Sequence, residues 1–242
     1  MRMSGHRVVI TGGASGIGFA MAKFMVDHHN DVLICGRRPD RLDQAAALLP
    51  GLKTYRCDVT QASGRQGLFA YVRAEMPGVN ILVNNAGIQR DIDLTLGTGD
   101  LENGEDEIAV NLDAPIRLSA LFTPLIAGQD CATIVNVSSG LAFMVEAAAR
   151  CPVYCATKAG MHAFSIAQRI QLAPLGIRVI EIIPPAVESE LNPDSRRKRS
   201  LAGPLAMLTA DDFVEQAFAQ MAADAEEIRV AMAWGPRSDP HQ

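Results

Sequence analysis

The order of apolar segments along the chain predicts an α/β fold, a doubly wound parallel sheet of about seven strands with helices on both faces. Three observations predict it. Short continuous apolar runs recur, as in strands buried on both sides. Segments with apolar residues at helical spacing separate them. The first run also passes through a glycine-rich turn directly into a helix.

Arg7-Val8-Val9-Ile10-Thr11 reads as the first strand. The helix after it runs from Ile17 to His29, with Ile17, Ala20, Met21, Phe24 and Met25 at helical spacing. The alternation continues with a strand from Asp31 to Cys35, a helix from Arg41 to Leu49, a strand from Leu52 to Cys57 and a helix from Ser63 to Met76. Ile81-Leu82-Val83 gives the fourth strand, Glu105 to Ile126 a long helix, Ala132 to Val137 the fifth strand, Tyr154 to Leu172 a second long helix and Arg178 to Ile183 the sixth strand. Pro184 to Leu208, rich in Pro, Ser and charge, reads as a loop or short helical excursion before a helix from Asp211 to Met221 and a last strand from Ile228 to Met232. With no linker, repeat or low-complexity tract, the 242 residues are expected to form one domain, inside the ~250–300 residues at which single cores stop growing.

Composition narrows the function classes. Apolar residues make up 48% of the chain and charged residues 20%, enough for a packed interior. A net charge of -5 and a pI near 5.5 supply no positive field for nucleic acid or anionic lipid, so neither partner is expected. The run Arg196-Arg197-Lys198-Arg199 reads as a solvated helix face or loop. Five scattered cysteines, Cys35, Cys57, Cys131, Cys151 and Cys155, lack the paired spacing of a zinc or redox site and read as reduced thiols, so no metal is expected. Met1 to His6 leads into the first strand without an apolar signal stretch, and no apolar run of about 18 residues follows; a soluble cytoplasmic protein is the expectation.

Thr11-Gly12-Gly13-Ala14-Ser15-Gly16-Ile17-Gly18 places glycines at G-x-x-x-G-x-G spacing between a strand and a helix. Gly12 permits the tight turn, Gly16 lets backbone approach a pyrophosphate, and Gly18 allows close packing of helix on strand. The helix N-terminus supplies N–H donors and partial positive charge, so the segment is a candidate nucleotide site. In Asp31-Val32-Leu33-Ile34-Cys35-Gly36-Arg37-Arg38, no acid stands at the strand's end, where Asp or Glu would accept from ribose hydroxyls and repel a 2′-phosphate. Arg37, with Arg38 as second candidate, can pair with that phosphate. NADP(H) is therefore expected to be preferred, with NAD(H) possible.

The glycine spacing resembles the motif of the short-chain dehydrogenase/reductase family, and the rest of the chain carries further matches. Asn84-Asn85-Ala86-Gly87 resembles its N-N-A-G segment, Tyr154-Cys155-Ala156-Thr157-Lys158 its Y-x-x-x-K motif, Ile134 to Ser139 the strand bearing its serine, and Asn111 the asparagine of its long fourth helix. The resemblance spans Arg7 to the last strand and implies a Rossmann-type fold. Residues four apart on a helix share a face, so the Lys158 ammonium is expected near the Tyr154 phenol, drawing its pKa down from about 10. Successive strand residues point to opposite sides, so only one of Ser138 and Ser139 can face the site; the family pattern favours Ser139.

By this resemblance Tyr154 is the general acid/base, Ser139 positions the substrate oxygen, Lys158 also holds the ribose and Asn111 orders a water beside the lysine. Thr11, Gly12, Ser15, Gly16, Ile17, Gly18, Asn85, Ala86 and Gly87 would line the cofactor cleft, with Asp58 and Val59 at the adenine. Val187 and Ser189 would stand at the nicotinamide, where Pro185 replaces the family's glycine. The implied reaction is reduction of a carbonyl or oxidation of an alcohol on a small molecule. The alternative is a sensor or scaffold that binds NADP(H) without turnover. Phe143, Met144, Arg150, Leu191, Leu201, Leu205 and Met207 are candidates to line the substrate pocket, with the loop region 184–208 beside it. The family's habit of pairing its two long helices, with apolar residues around much of the second, implies a homodimer or homotetramer.

Overall fold

A computed structural model describes residues 1–187, 191 and 207–230. All seven strands are parallel: β1 (Arg7–Thr11), β2 (Asp31–Gly36), β3 (Lys53–Arg56), β4 (Ile81–Asn84), β5 (Thr133–Val137), β6 (Arg178–Ile183) and β7 (Glu227–Arg229). Their order is β3-β2-β1-β4-β5-β6-β7, so the winding reverses between β1 and β4. A doubly wound sheet binds ligands outside the carboxyl ends of its strands at such a reversal. The helices are α1 (Gly16–Asp27), α2 (Pro39–Leu48), α3 (Ala62–Glu75), the short α4 (Gly99–Glu102), α5 (Ala114–Ile126), α6 (Pro152–Leu172) and α7 (Ala210–Ala222).

The strands alternate their side chains between two cores. Val8, Ile10, Val32 and Ile34 pack with Met21 and Met25 of α1 and with Phe213, Phe218 and Met221 of α7. Val9, Leu33, Leu82 and Ile134 pack on the other face with Leu68 and Val72 of α3 and Leu118 and Phe122 of α5. Burial on both faces is why these strands read as unbroken apolar runs in the sequence.

Several bounds differ from the sequence expectation. Helices α2 and α6 begin earlier than expected, at Pro39 and Pro152, because proline is preset for a helix's first position. The long helix expected from Glu105 passes through a π turn over Ala109–Asp113 before α5. Pro115, four residues beyond Asn111, has no N–H to donate to that carbonyl, and the widened turn absorbs the mismatch. Strand β3 is shorter than Leu52 to Cys57, and β7 ends at Arg229. Ser189, Leu201, Leu205 and the run Arg196 to Arg199 lie outside the described residues. Among the described residues, no helix is long and apolar enough to cross a membrane.

Candidate active site

The loops after β1 and β4 are tied together at the reversal. Thr11 Oγ1 donates to the Val83 carbonyl at 3.2 Å and accepts the backbone N–H groups of Asn85 and Ala86, both at 3.0 Å. The Asn85 amide donates back to the carbonyls of Thr11 and Gly12 at 2.9 and 3.1 Å. Both side chains, expected at the cofactor, are thus spent on joining its two walls. Gly12 sits at φ +63, where a Cβ would stand 2.8 Å from the Ala86 Cα, and a Cβ on Gly18 would overlap the Gly12 carbonyl and the Asn85 amide. The turn therefore folds this tightly only with glycine at both positions.

Ser15 stands before the first turn of α1 without capping it, and no acid lies in that turn. Its hydroxyl accepts instead from Arg38 at 3.4 Å. A helix N-terminus with no side-chain cap, Gly16 and Ile17 in its first turn and a guanidinium beside it is a donor set suited to a pyrophosphate. Arg37 points elsewhere and pairs with Glu105 at 2.9 Å. Asp58 uses one carboxylate oxygen to accept from the backbone and hydroxyl of Thr60 at 2.9 and 2.7 Å, and the following Val59 is buried. Val187 makes a parallel bridge with Leu208.

Further along the carboxyl edge the other candidate residues meet. Ser139 follows β5 and its hydroxyl lies beside the Tyr154 phenol, while Ser138 faces the Ile182 carbonyl at 3.5 Å. The alternation along the strand thus assigns Ser139 to the Tyr154 side. Ser139 Oγ also accepts the Leu141 N–H at 3.2 Å, and Gly140 N–H donates to the Pro184 carbonyl at 2.9 Å, fixing the loop to the end of β6. Tyr154 and Lys158, one turn apart on α6, are both buried. The Lys158 ammonium donates to the Val137 carbonyl at 2.8 Å and lies 5.7 Å from the centre of the Tyr154 ring. Gly87 sits against the same group, a Cβ there being 3.6 Å from Lys158 Nζ.

The electrostatics correct one expectation. Burial pushes the Tyr154 phenol up rather than down, with Cys151, Cys155 and Glu107 adding to the rise; the hydrogen bond to Ser139 opposes it. Burial also lowers Lys158, to about 8. A phenolate buried this deeply would give up most of its hydration, and the buried ammonium does the same.

Asn111 Oδ1 accepts the Ile88 N–H at 2.9 Å, and its amide donates to the Ile88 carbonyl at 2.8 Å and to Thr157 Oγ1 at 3.2 Å. Its side chain clamps the loop after β4 to α6 rather than standing open to water. One helical turn earlier, the buried Glu107 accepts the Arg90 N–H at 3.0 Å through one oxygen, while the other has no partner among the described residues. A ladder of buried amides also escaped the sequence reading: Asn84 donates to Ser119 and Asn136 at 3.0 and 2.9 Å, and Asn136 donates to Ser165 and Gln168 at 3.0 and 2.9 Å. An asparagine beside the apolar residues of each of two buried strands was the available signal.

Of the expected pocket residues, Phe143 and Met144 are exposed and Arg150 lies 3.8 Å from Asp91. Leu191 is at the surface and Met207 is half-buried. The Phe143 ring lies edge-on to His162, with centroids 4.7 Å apart, and under the Arg229 guanidinium at 4.5 Å.

The glycine turn, the N-N-A-G loop and the serine-tyrosine-lysine group thus share one edge of the sheet, and a family model described as short chain dehydrogenase matches residues 6–200. The chain belongs to the short-chain dehydrogenase/reductase family. It is an NAD(P)-dependent oxidoreductase of that family. It is 48% identical over 201 residues to an uncharacterised oxidoreductase, DltE, of Bacillus subtilis strain 168, a match covering 83% of this chain and 79% of that one. A short-chain dehydrogenase from Sphingobium yanoikuyae, solved in complex with NADPH, superposes with a TM-score of 0.80 at 26% identity over 92% of this chain and 87% of that one. A short-chain dehydrogenase/reductase from Burkholderia phymatum, solved with NAD, shares the fold with a TM-score of 0.80 at 21% identity, over 94% and 89% of the two chains.

Proposed function

We propose that this short-chain dehydrogenase reduces a small-molecule carbonyl, or oxidises the corresponding alcohol, with Tyr154 as general acid/base and NADP(H) as the preferred cofactor. The observation that carries the reading is the meeting of Ser139, Tyr154 and Lys158 at the carboxyl edge of the sheet, beside the glycine turn. When bound, a nicotinamide supplies or accepts the hydride. Tyr154 gives the proton to the carbonyl oxygen in reduction and takes it in oxidation. Ser139 holds that oxygen by a hydrogen bond. Lys158 sets an ammonium one turn of α6 from the phenol, and that ammonium is available to a ribose.

For the cofactor, the Sphingobium relative's NADPH complex supports the same class of ligand here. Geometry favours Arg38 over Arg37 as the group that meets a 2′-phosphate, because Arg38 reaches the glycine turn through Ser15. The same edge carries Asn111 as a clamp that keeps Thr157, and with it the Tyr154 turn of α6, in place.

The test is NADPH oxidation by wild type and Tyr154→Phe across ketones, acyl thioesters, sugars and quinones. Tyrosine-dependent turnover on one class supports the enzyme. NADPH binding without tyrosine-dependent turnover on any class supports the sensor or scaffold instead.

A further inference from the structure

Helix α6 and strands β6 and β7 enclose a second set of ionisable groups next to the site. Glu181, in the middle of β6, is fully buried between the apolar Ile180 and Ile182. Its Oε2 lies 2.7 Å from His162 Nδ1, and its Oε1 has no hydrogen-bond partner among the described residues. His162 is one helical turn beyond Lys158, so the two side chains share a face of α6. In the sheet Glu181 pairs with Asn136 and Ile182 with Val137, the residue whose carbonyl receives the Lys158 ammonium. Lys158 and Glu181 are therefore shut between the same helix and the same pair of strands.

Among the described residues, the other charges on α6, β6 and β7 are matched. On β7, Glu227 pairs with Arg229 at 2.8 Å, and further along α6 Arg169 pairs with Glu226 at 3.2 Å. Strand β5 presents Asn136 here, which is not ionisable, while Val137 points to the opposite face. His162, Glu181 and Glu227 offer possible ligand atoms within 4.8 Å of one another. The 2.7 Å imidazole-carboxylate contact, however, is a hydrogen-bond length, shorter than the roughly 3.4 Å between two ligands around a tetrahedral ion. Glu227 also has a guanidinium as its cation. The group is a charge network rather than a metal cage.

We propose that Glu181, oriented by His162, is the buried counter-charge that keeps Lys158 cationic, and so is a positioning residue for proton transfer at Tyr154. A lone buried carboxylate and a lone buried ammonium each carry a heavy desolvation cost, which the two offset together. Burial pulls Lys158 down, and the Glu181 charge is the influence that opposes the fall. The proposal rests on the Tyr154 and Lys158 roles given above.

The experiment measures NADPH affinity by fluorescence titration, and kcat/KM for carbonyl reduction, as functions of pH in wild type, Glu181→Gln and Glu181→Asp. Glu181→Gln should move the basic limb of both profiles to lower pH by about one unit or more, and Glu181→Asp should return part of that shift. A structural role alone would lower both quantities at every pH and leave the limb in place; that result overturns the proposal. Should Glu181→Gln fail to fold, His162→Gln, at a partly exposed position, should move the limb the same way by a smaller amount, and an unmoved limb overturns the proposal equally. Tyr154→Phe, run in parallel, separates the two readings. Turnover surviving in that variant defeats the catalytic reading, whereas an inactive Tyr154→Phe beside an unmoved limb defeats the counter-charge alone.

Discussion

The Lys158 ammonium is held at 2.8 Å by the carbonyl of Val137, the last residue of β5, so the sheet itself fixes the lysine's position. Burial lowers its pKa to about 8. Below that pH the group is charged and ready for an anionic ligand; above it the charge is lost. NADPH affinity should therefore fall between pH 7 and 9 in wild type, while Lys158→Met should bind more weakly with little pH dependence over that range. Stability should run the other way. The folded pKa lies below the ordinary lysine value of 10.5, so between about 8 and 10.5 the unfolded chain binds more protons. The unfolding free energy of wild type relative to Lys158→Met should rise with pH in that window, as measured by urea titration.

Cofactor selection should follow Arg38. Its contact with Ser15 places it at the glycine turn, whereas Arg37 is engaged by Glu105 in a pair with both partners about half exposed, worth ~1 kcal/mol or less. Arg38→Ala should raise the Kd for NADPH at least ~10-fold and leave that for NADH within about threefold, since an arginine-phosphate pair is strongly charge-assisted. Equal affinity of the wild type for both cofactors would remove the NADP(H) preference and leave the catalytic reading intact.

The buried amide ladder should matter more for stability than for chemistry. Asn84→Ala leaves Ser119 and the Asn136 carbonyl oxygen without their partner and should cost about 2–4 kcal/mol in denaturant unfolding. Gly18→Ala should destabilise the turn and weaken NADPH, because its methyl would overlap the Gly12 carbonyl. A Gly18→Ala protein with unchanged melting temperature and NADPH affinity would contradict the packing described here.

The sheet was legible because strands buried on both faces are written as apolar runs such as Val8-Val9-Ile10 and Ile81-Leu82-Val83. Tyr154 and Lys158 were legible because their proximity is a local property of one helix. What escaped depends on contacts between distant elements. The bond from Asn84 to Asn136 joins residues 52 apart through strand register, and no local pattern reports it. The π turn arises where Pro115 follows Asn111, a conflict visible only once both lie in one helix. The directions of the adjacent Arg37 and Arg38 were hidden because the chain bends at Arg37, between the end of β2 and the start of α2 at Pro39. Glu181, a single acid inside the apolar strand Ile180-Glu181-Ile182, was the readable signal that went unused.

Self-association should use α5 and α6. Ala156, Ala163, Ile166, Ala167 and Ile170 lie exposed along one side of α6, with Ile170 at 72% exposure, and Ile116 of α5 is exposed as well. Light scattering at micromolar concentration should give a dimer or tetramer, and Ile170→Glu should shift it toward monomer. A wild-type monomer at that concentration would refute the assignment.

The central claim is that Tyr154 transfers the proton, and the direct measurement is kcat of Tyr154→Phe beside its NADPH affinity. The substitution removes one hydroxyl from a buried ring held against Ser139 and leaves the glycine turn and Lys158 untouched. The account predicts a fall in kcat of ~1,000-fold or more with Kd for NADPH changed by less than about threefold. Retention of about a tenth of the wild-type kcat, a barrier change of only about 1.4 kcal/mol, would contradict it.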